Sequence, residues 1–449
     1  MNRLFSCLAV VFLLAVPALA AGQAPPAPTP MAQPPAATGP ALVALKATRV
    51  FDSRSDRVTE NGVVLIEGTK IRDVGAGIAI PSTALILDLG DATILAGFID
   101  SHTHVTDEAS DNWLGDFYEG LRRPVAEQAI FAAGWARRTL ESGFTTIRDL
   151  GSREGIDVGL RNAVNRGLVP GPRMLVAREA IGSTGGHCDR GGFPPGTFGD
   201  EPGPSKGIVS GANEARAAVR LNIKYGADVI KTCASGGVLS LNDDVSSPQL
   251  TDEELAALVD EAHRRGRKAA AHSHGDAAAK AAVRAGIDSI EHGSFLTDET
   301  LALMKAKGTY LVPTLMAGEW TGGKADKFPP QIAEKARAAL AARSDMFRRA
   351  LKSGVRIAFG TDAGVSPHGL SAQEFGLMVG LGMPAAAALR SAGPAAADLL
   401  GLGKLIGTLE KGKEADVVAV PGDALKDIRA TERVFFVMKG GKIVRYSAR

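Results

Sequence analysis

Gly97-Phe98-Ile99-Asp100-Ser101-His102-Thr103-His104 is an apolar run that closes on two histidines spaced by a single residue. It reads as a buried strand, and the two-residue period of a strand points both imidazoles to the same side of its end. Seven more β-type runs follow, at residues 145–150, 174–181, 228–232, 268–272, 289–292, 310–315 and 356–361. Between them lie Ala-, Arg-, Glu- and Leu-rich stretches of helical period, at 124–142, 214–225, 253–265 and 331–353, each followed by a glycine (Gly143, Gly226, Gly266, Gly354) where a C-cap is expected. Eight such units over roughly 300 residues predict an α/β fold, a (β/α)8 TIM barrel across 97–401. A doubly wound sheet would not explain why polar residues gather at the ends of so many different strands.

The flanks read differently. Short alternating strands around Val63-Val64-Leu65-Ile66 and Ala84-Leu85-Ile86-Leu87 precede the barrel, and Asp416-Val417-Val418-Ala419-Val420, Val434-Phe435-Phe436-Val437 and Lys442-Ile443-Val444 follow it. Residues 41–96 and 402–449 are therefore expected to form one small, discontinuous β-sandwich domain. Residues 21–40, mostly Ala, Pro, Gln and Thr, read as a disordered linker. Residues 1–20 read as a signal peptide: Arg3, an apolar run from Leu8 to Val16, then Ala18-Leu19-Ala20 with cleavage before Ala21. The mature protein is expected to be exported, periplasmic or secreted, with no stable membrane insertion, because no later segment reaches spanning length.

Composition narrows the partners. With 51 Lys and Arg against 49 Asp and Glu, the formal charge of +2 leaves no electrostatic footprint for nucleic acid. The 45% hydrophobic content supports a sizeable core. Three cysteines, Cys7, Cys188 and Cys233, cannot make a disulfide framework, and Cys7 lies in the removable segment.

The chemistry sits at strand ends. His272 and His292 close the fifth and sixth runs, and Asp362 closes the eighth in Gly360-Thr361-Asp362-Ala363-Gly364. Together with His102 and His104 these are metal-competent groups converging on one rim. Lys231 is the exception, an ammonium inside the apolar Ala227-Asp228-Val229-Ile230-Lys231, where burial without a partner is costly. It either pairs with a carboxylate such as Asp149 or has taken up carbon dioxide as a carbamate. His274 shares the face of His272 by the same period of two, so spacing leaves both open as ligands.

The chain resembles the amidohydrolase superfamily, in its imidazolonepropionase-related branch of Xaa-Pro dipeptidases, arginine and lysine carboxypeptidases and ochratoxin-hydrolysing enzymes. The motifs that carry the resemblance are the opening octapeptide, Thr146-Ile147-Arg148-Asp149, Gly185-Gly186-His187, Lys231 with Ser235-Gly236-Gly237, His272-Ser273-His274-Gly275, Ile290-Glu291-His292-Gly293, Val312-Pro313-Thr314-Leu315, Gly360-Thr361-Asp362 and Gly412-Lys413-Glu414-Ala415-Asp416. It spans residues 41–449 and implies two divalent metals, zinc by expectation. One would be held by His102, His104 and Asp362, the other by His272 and His292, with carbamylated Lys231 bridging them. The resemblance implies a metal-bridging hydroxide as nucleophile and Asp362 as the proton carrier. His187 would stabilise the oxyanion or hold substrate, and His274 would contact substrate. Relatives in this branch are often octameric, which extends to this chain the expectation of a homo-oligomer.

The expected activity is hydrolysis of a C-terminal amide in a dipeptide or N-acyl amino acid, ochratoxin-type amides included. A cyclic-amide hydrolase of the imidazolone or hydantoin type is the alternative, disfavoured by export. A non-catalytic scaffold is the minor one, disfavoured because all six ligand positions are filled.

Overall fold

A computed structural model describes residues 42–447 except Asp111 and Asn242; the expected signal peptide and linker, with Cys7, lie outside the described residues. The first part of the chain forms β1 (Leu42–Phe51), β2 (Thr59–Glu67), β3 (Lys70–Ala76), β4 (Leu85–Asp88) and β5 (Ala92–Ala96). The central part holds β6 (Phe98–Thr103), β7 (Phe144–Asp149), β8 (Arg173–Val176), β9 (Gly182–Ser183), β10 (Ile208–Val209), β11 (Val229–Cys233), β12 (Lys268–Ser273), β13 (Ser289–His292) and β14 (Tyr310–Val312). The end of the chain adds β15 (Val417–Pro421), β16 (Phe436–Lys439) and β17 (Lys442–Tyr446).

Helices α1 (Trp113–Arg122), α2 (Val125–Glu141), α3 (Ile156–Asn165), α4 (Ala212–Lys224), α5 (Asp252–Arg264), α6 (Asp276–Ala285), α7 (Asp298–Lys307), α8 (Leu315–Gly323) and α9 (Pro330–Ser353) alternate with the central strands. The stretches expected to be helical from their apolar period are α2, α4, α5 and α9 within one or two residues. Local chemistry sets some of these limits. Thr251 and Glu254 form a reciprocal capping box that starts α5, and Gly354 ends α9 in the left-handed region at φ 72°.

The central strands pair in parallel as β6-β7-β8 and β11-β12-β13-β14, and both faces are buried, which is why they read as continuous apolar runs. Hydrogen bonds also link the two groups: Asp228 N, just before β11, donates to Val176 O of β8, and beyond β8 Ile181 N donates to Lys231 O and Cys233 N to Ile181 O, each at 2.8 Å. The eighth expected strand, 356–361, departs from the reading. Leu311 N donates to Arg356 O and Ala358 N to Leu311 O on one side, while Ser101 N donates to Phe359 O and Asp362 N to His102 O on the other. Each flank receives only isolated bridges, so no uninterrupted ladder forms on either.

The two ends of the chain share one eight-stranded sheet, ordered β17-β16-β15-β5-β1-β2-β3 with β4 on β1. Val418 lies opposite Leu95, and Val417 and Phe436 share a core with Leu45, Val64 and Ile94. Hydrogen bonding joins all these strands continuously, where a two-sheet sandwich was expected, because β1 pairs with β4 along its first half and with β5 along its second.

Candidate metal centre

Parallel register lines up the polar strand ends. His272 stands opposite Cys233 and His292 opposite Ser273, so the last residues of β11, β12 and β13 share one rim. Asp100 ties the remaining piece to it: its Oδ1 accepts from His102 N at 3.1 Å, and its Oδ2 accepts from Thr361 Oγ1 at 2.6 Å. Burial pushes the Asp100 carboxyl up to about 7. The sequence reading gave Asp100 no role, although a carboxylate inside an apolar strand was the available signal.

Two groups of ligand atoms result. His102, His104 and Asp362 offer atoms within 4.8 Å of one another, and so do His272, His274 and His292. Asp362 Oδ1 lies 3.3 Å from His102 Nε2 and 3.2 Å from His104 Nε2, yet it is buried without a hydrogen-bond partner. Converging lone pairs on a buried, unpartnered oxygen are what a cation would satisfy.

The outer hydrogen bonds choose which nitrogen is left free. Glu291 Oε2 accepts from His102 Nδ1 at 2.9 Å, and the Gly151 carbonyl accepts from His104 Nδ1 at 3.2 Å, so both keep Nε2 for a ligand. His292 Nδ1 pairs with Thr314 Oγ1 at 2.7 Å and His274 Nδ1 with Ser294 Oγ at 2.8 Å. His272 is reversed: its Nε2 donates to Gly236 O at 3.2 Å, which leaves Nδ1. Spacing left His272 and His274 both open, and the structure brings both beside His292, with ring centroids at 4.5 and 4.9 Å.

Glu291 is itself held by Arg148 Nη2 at 2.9 Å and by the Ser289 hydroxyl, all three groups buried. Burial works against its ionisation, but Arg148 and His102 outweigh it and hold the carboxyl at about 2. The backbone is strained at the same rim: His292, Thr314 and Asp362 have φ of 72°, 45° and 60°. Each such residue costs about 1–3 kcal/mol and persists only where its surroundings over-determine it.

Lys231 lies in the rim with its Nζ 3.4 Å from His102 Nε2. Asp149, the alternative partner, turns elsewhere and accepts from Val105 N at 2.5 Å. Burial, partly offset by Glu291 and Asp362, lowers the Lys231 ammonium to about 8.

His187 comes to the same cavity from the loop after β9, its ring 4.3 Å from that of His272. Its Nδ1 meets Ser240 Oγ at 3.0 Å, and that hydroxyl donates to Asp243 Oδ1 at 2.5 Å. With its one proton committed to Asp243, Ser240 accepts from Nδ1–H, so neutral His187 turns a bare Nε2 away from Ser240. A side chain at position 237 would collide with the ring, hence Gly237. Next to His187, Cys188 is bonded to Cys233 as a disulfide. The sequence reading had not paired them; the loop return that places His187 over β11 brings the two sulfurs together. His263 and His368 lie apart from both groups, bonded to Asp288 Oδ2 and the Asp107 carbonyl at 2.8 Å each.

The profile of the amidohydrolase family matches residues 93–444. The chain belongs to the amidohydrolase family. This amidohydrolase is 34% identical over 369 residues to an ochratoxinase from Aspergillus niger, covering 78% of this chain and 75% of that one. Among solved structures it is similar to a Xaa-Pro dipeptidase with methionine bound in the active site, at 39% identity and a TM-score of 0.85, covering 90% of this chain and all (100%) of that one. It is also similar to a prolidase complexed with N-methylphosphonate-L-proline, at 30% identity and a TM-score of 0.81, with coverage of 90% and 100%. These relatives place the amidohydrolase in the branch of Xaa-Pro dipeptidases and ochratoxinase, as a hydrolase acting on amide bonds.

Proposed function

We propose that this chain is a binuclear metal-dependent amidohydrolase that removes the C-terminal residue from a dipeptide or N-acyl amino acid, ochratoxin-type amides among them, outside the cytoplasm. The observation that carries the reading is Lys231 beside His102, in a rim that also offers a three-histidine group. A carbamate on Lys231 would turn a costly buried amine into an anionic group able to hold cations beside the histidines. His102, His104 and Asp362 would hold one metal, and His272 and His292, with His274 within reach, the other. Two bound divalent ions, zinc by expectation, would lower the pKa of water and polarise the scissile carbonyl.

The chain's own residues do the rest. Asp362 receives the proton of the attacking water and passes it to the leaving nitrogen. Burial opposes its ionisation, but His102 and His104 outweigh that and hold its carboxyl at about 2. His187, with Nε2 bare, accepts from a substrate N–H. Glu291 and Arg148 fix the His102 ring.

The proposed architecture is a (β/α)8 barrel over 97–401 and a small β domain from 41–96 and 402–449, supported by the bonds joining the two parallel groups and by the shared terminal sheet. Export is supported by the Arg3-led apolar run and by the Cys188–Cys233 bond, since disulfides persist in oxidising compartments. A homo-oligomer is supported by the exposed apolar side chains Leu114, Tyr118, Ile130 and Phe131 on α1 and α2. Among the described residues no helix is long and apolar enough to cross a membrane.

The test is a panel of N-acyl amino acids and dipeptides with proline, phenylalanine, arginine or lysine at the C-terminus, set against hydantoins and lactams, before and after chelation. Chelator-sensitive cleavage confined to the linear amides is expected. Turnover of the cyclic amides alone, or full activity after chelation, would sink the reading.

A further inference from the structure

The cavity that contains the candidate ligands has a volume of about 190 Å³ and extends away from them to a wall made by α8 and α9. Arg343, on α9, lines that wall with Thr321 and Gly318 of α8. Helical period alone gave no reason to single it out: it lies in an Ala- and Arg-rich stretch that reads as an ordinary helix. In the fold it is buried, and no strand-end chemistry uses it.

The cationic side chains lining this cavity, leaving the histidines aside, are Lys231 and Arg343. Lys231 is committed to the ligand end. The guanidinium of Arg343 is only partly engaged: Nη1 donates to the Leu315 carbonyl, Nη2 pairs with Glu319, and Nε is buried with no hydrogen-bond partner. Glu319 meets it from the solvent side, with 51% of its side chain exposed against 7% for Arg343, so a competing carboxylate inside the cavity can displace it at little cost in desolvation. Guanidinium is the group best shaped to grip a carboxylate through two parallel N–H donors.

We propose that Arg343 anchors the free α-carboxylate of the residue on the leaving side of the scissile amide. The ligand's two oxygens take Nε and the Nη2 edge, Glu319 turns outward, and the amide is held toward the strand ends. This rests on the hydrolase reading above and adds what that reading lacks, a reason for the enzyme to require a C-terminal carboxylate. Gly318 fits the same picture. A Cβ there would stand 2.9 Å from Arg343 Cδ and 3.1 Å from Nη1, so the glycine lets the guanidinium lie flat along α8.

The experiment uses the metal-loaded mature protein and two substrates that differ at one group, N-benzoyl-L-phenylalanine and its C-terminal carboxamide. Wild type is expected to prefer the acid at least tenfold in kcat/KM. Arg343→Met is expected to cost the acid about 10- to 100-fold, chiefly in KM, and to leave the carboxamide unchanged, with Arg343→Lys recovering part of the loss. Gly318→Ala, which keeps every charge, should erode the same preference. An equal loss on both substrates, or no loss on the acid, overturns the anchor.

If wild type cleaves neither compound, the full substrate panel decides the hydrolase reading separately, and calorimetry with L-phenylalanine and L-phenylalaninamide decides about Arg343. Preference for the acid that disappears in Arg343→Met upholds the anchor, and equal affinities overturn it.

Discussion

Lys231 Nζ stands 3.4 Å from His102 Nε2, two basic nitrogens facing each other in a buried rim. Two such groups cannot both carry a proton there, and burial pushes both down, the lysine to about 8 and the imidazole to about 4. A neutral amine is the form that adds carbon dioxide. Protein prepared in 13C-bicarbonate with zinc should show a carbamate carbon resonance that Lys231→Ala lacks. Lys231→Ala should also bind one metal equivalent fewer by elemental analysis and lose amide hydrolysis. Two equivalents retained in the variant would exclude a bridging role.

Glu291 fixes the His102 ring while Arg148 and Ser289 fix Glu291. Glu291→Gln removes the charge that stabilises the ligating tautomer and strands a buried guanidinium. Metal affinity is expected to fall about 10- to 100-fold, as for other groups that orient a metal-binding histidine. Competition with a chromophoric chelator measures it; unchanged affinity would mean that the ring is held by packing alone.

Glu374 is buried, and it accepts from Leu315 N at 2.9 Å and Met316 N at 2.6 Å. Burial, against those two bonds, raises its carboxyl to about 8. A raised carboxyl takes up a proton on folding, so its stabilising share is complete below the unfolded value near 4.5 and is lost as pH climbs through about 8. Glu374→Gln cannot ionise. Its Tm relative to wild type should therefore improve from pH 5 to pH 8, and a constant difference would show that the carboxyl titrates normally in the fold.

Cys188 and Cys233 are 45 residues apart in sequence, and the bond between them closes the loop that carries His187 over β11. Loss of a loop closure of this size is expected to cost about 2–4 kcal/mol. Reductant, or the Cys188→Ser/Cys233→Ser pair, should lower Tm and raise KM through a loosened His187. A melting curve indifferent to reductant would mean that the bond adds nothing to stability.

Much of this was legible because parallel strands buried on both faces write themselves as apolar runs, and because His102, His104, His272, His292 and Asp362 each interrupt such a run at its end. What escaped depends on partners far away in sequence. Glu291 and Arg148 look like charges misplaced in strands until the fold sets them face to face. His274 could not be separated from His272, since the same period serves both and only Ser294 and Gly236 show which ring nitrogen each keeps free. The segment 356–361 is apolar enough for a strand, yet only isolated bonds reach it from Leu311 and from β6, which composition does not encode. Arg343 carries no local mark at all: only the packing of α8 on α9 turns it inward.

The terminal sheet also bears on the order of assembly. β5 is complete by Ala96, but its partner β15 begins at Val417, so a chain emerging from its N-terminus carries an open sheet edge through the synthesis of everything between. Until that late strand arrives, the bare edge of β5 is the surface on which the growing chain can pair wrongly. Such long-range pairing is slow to form, so β15–β17 complete, more than 300 residues later, the sheet that β1–β5 begin.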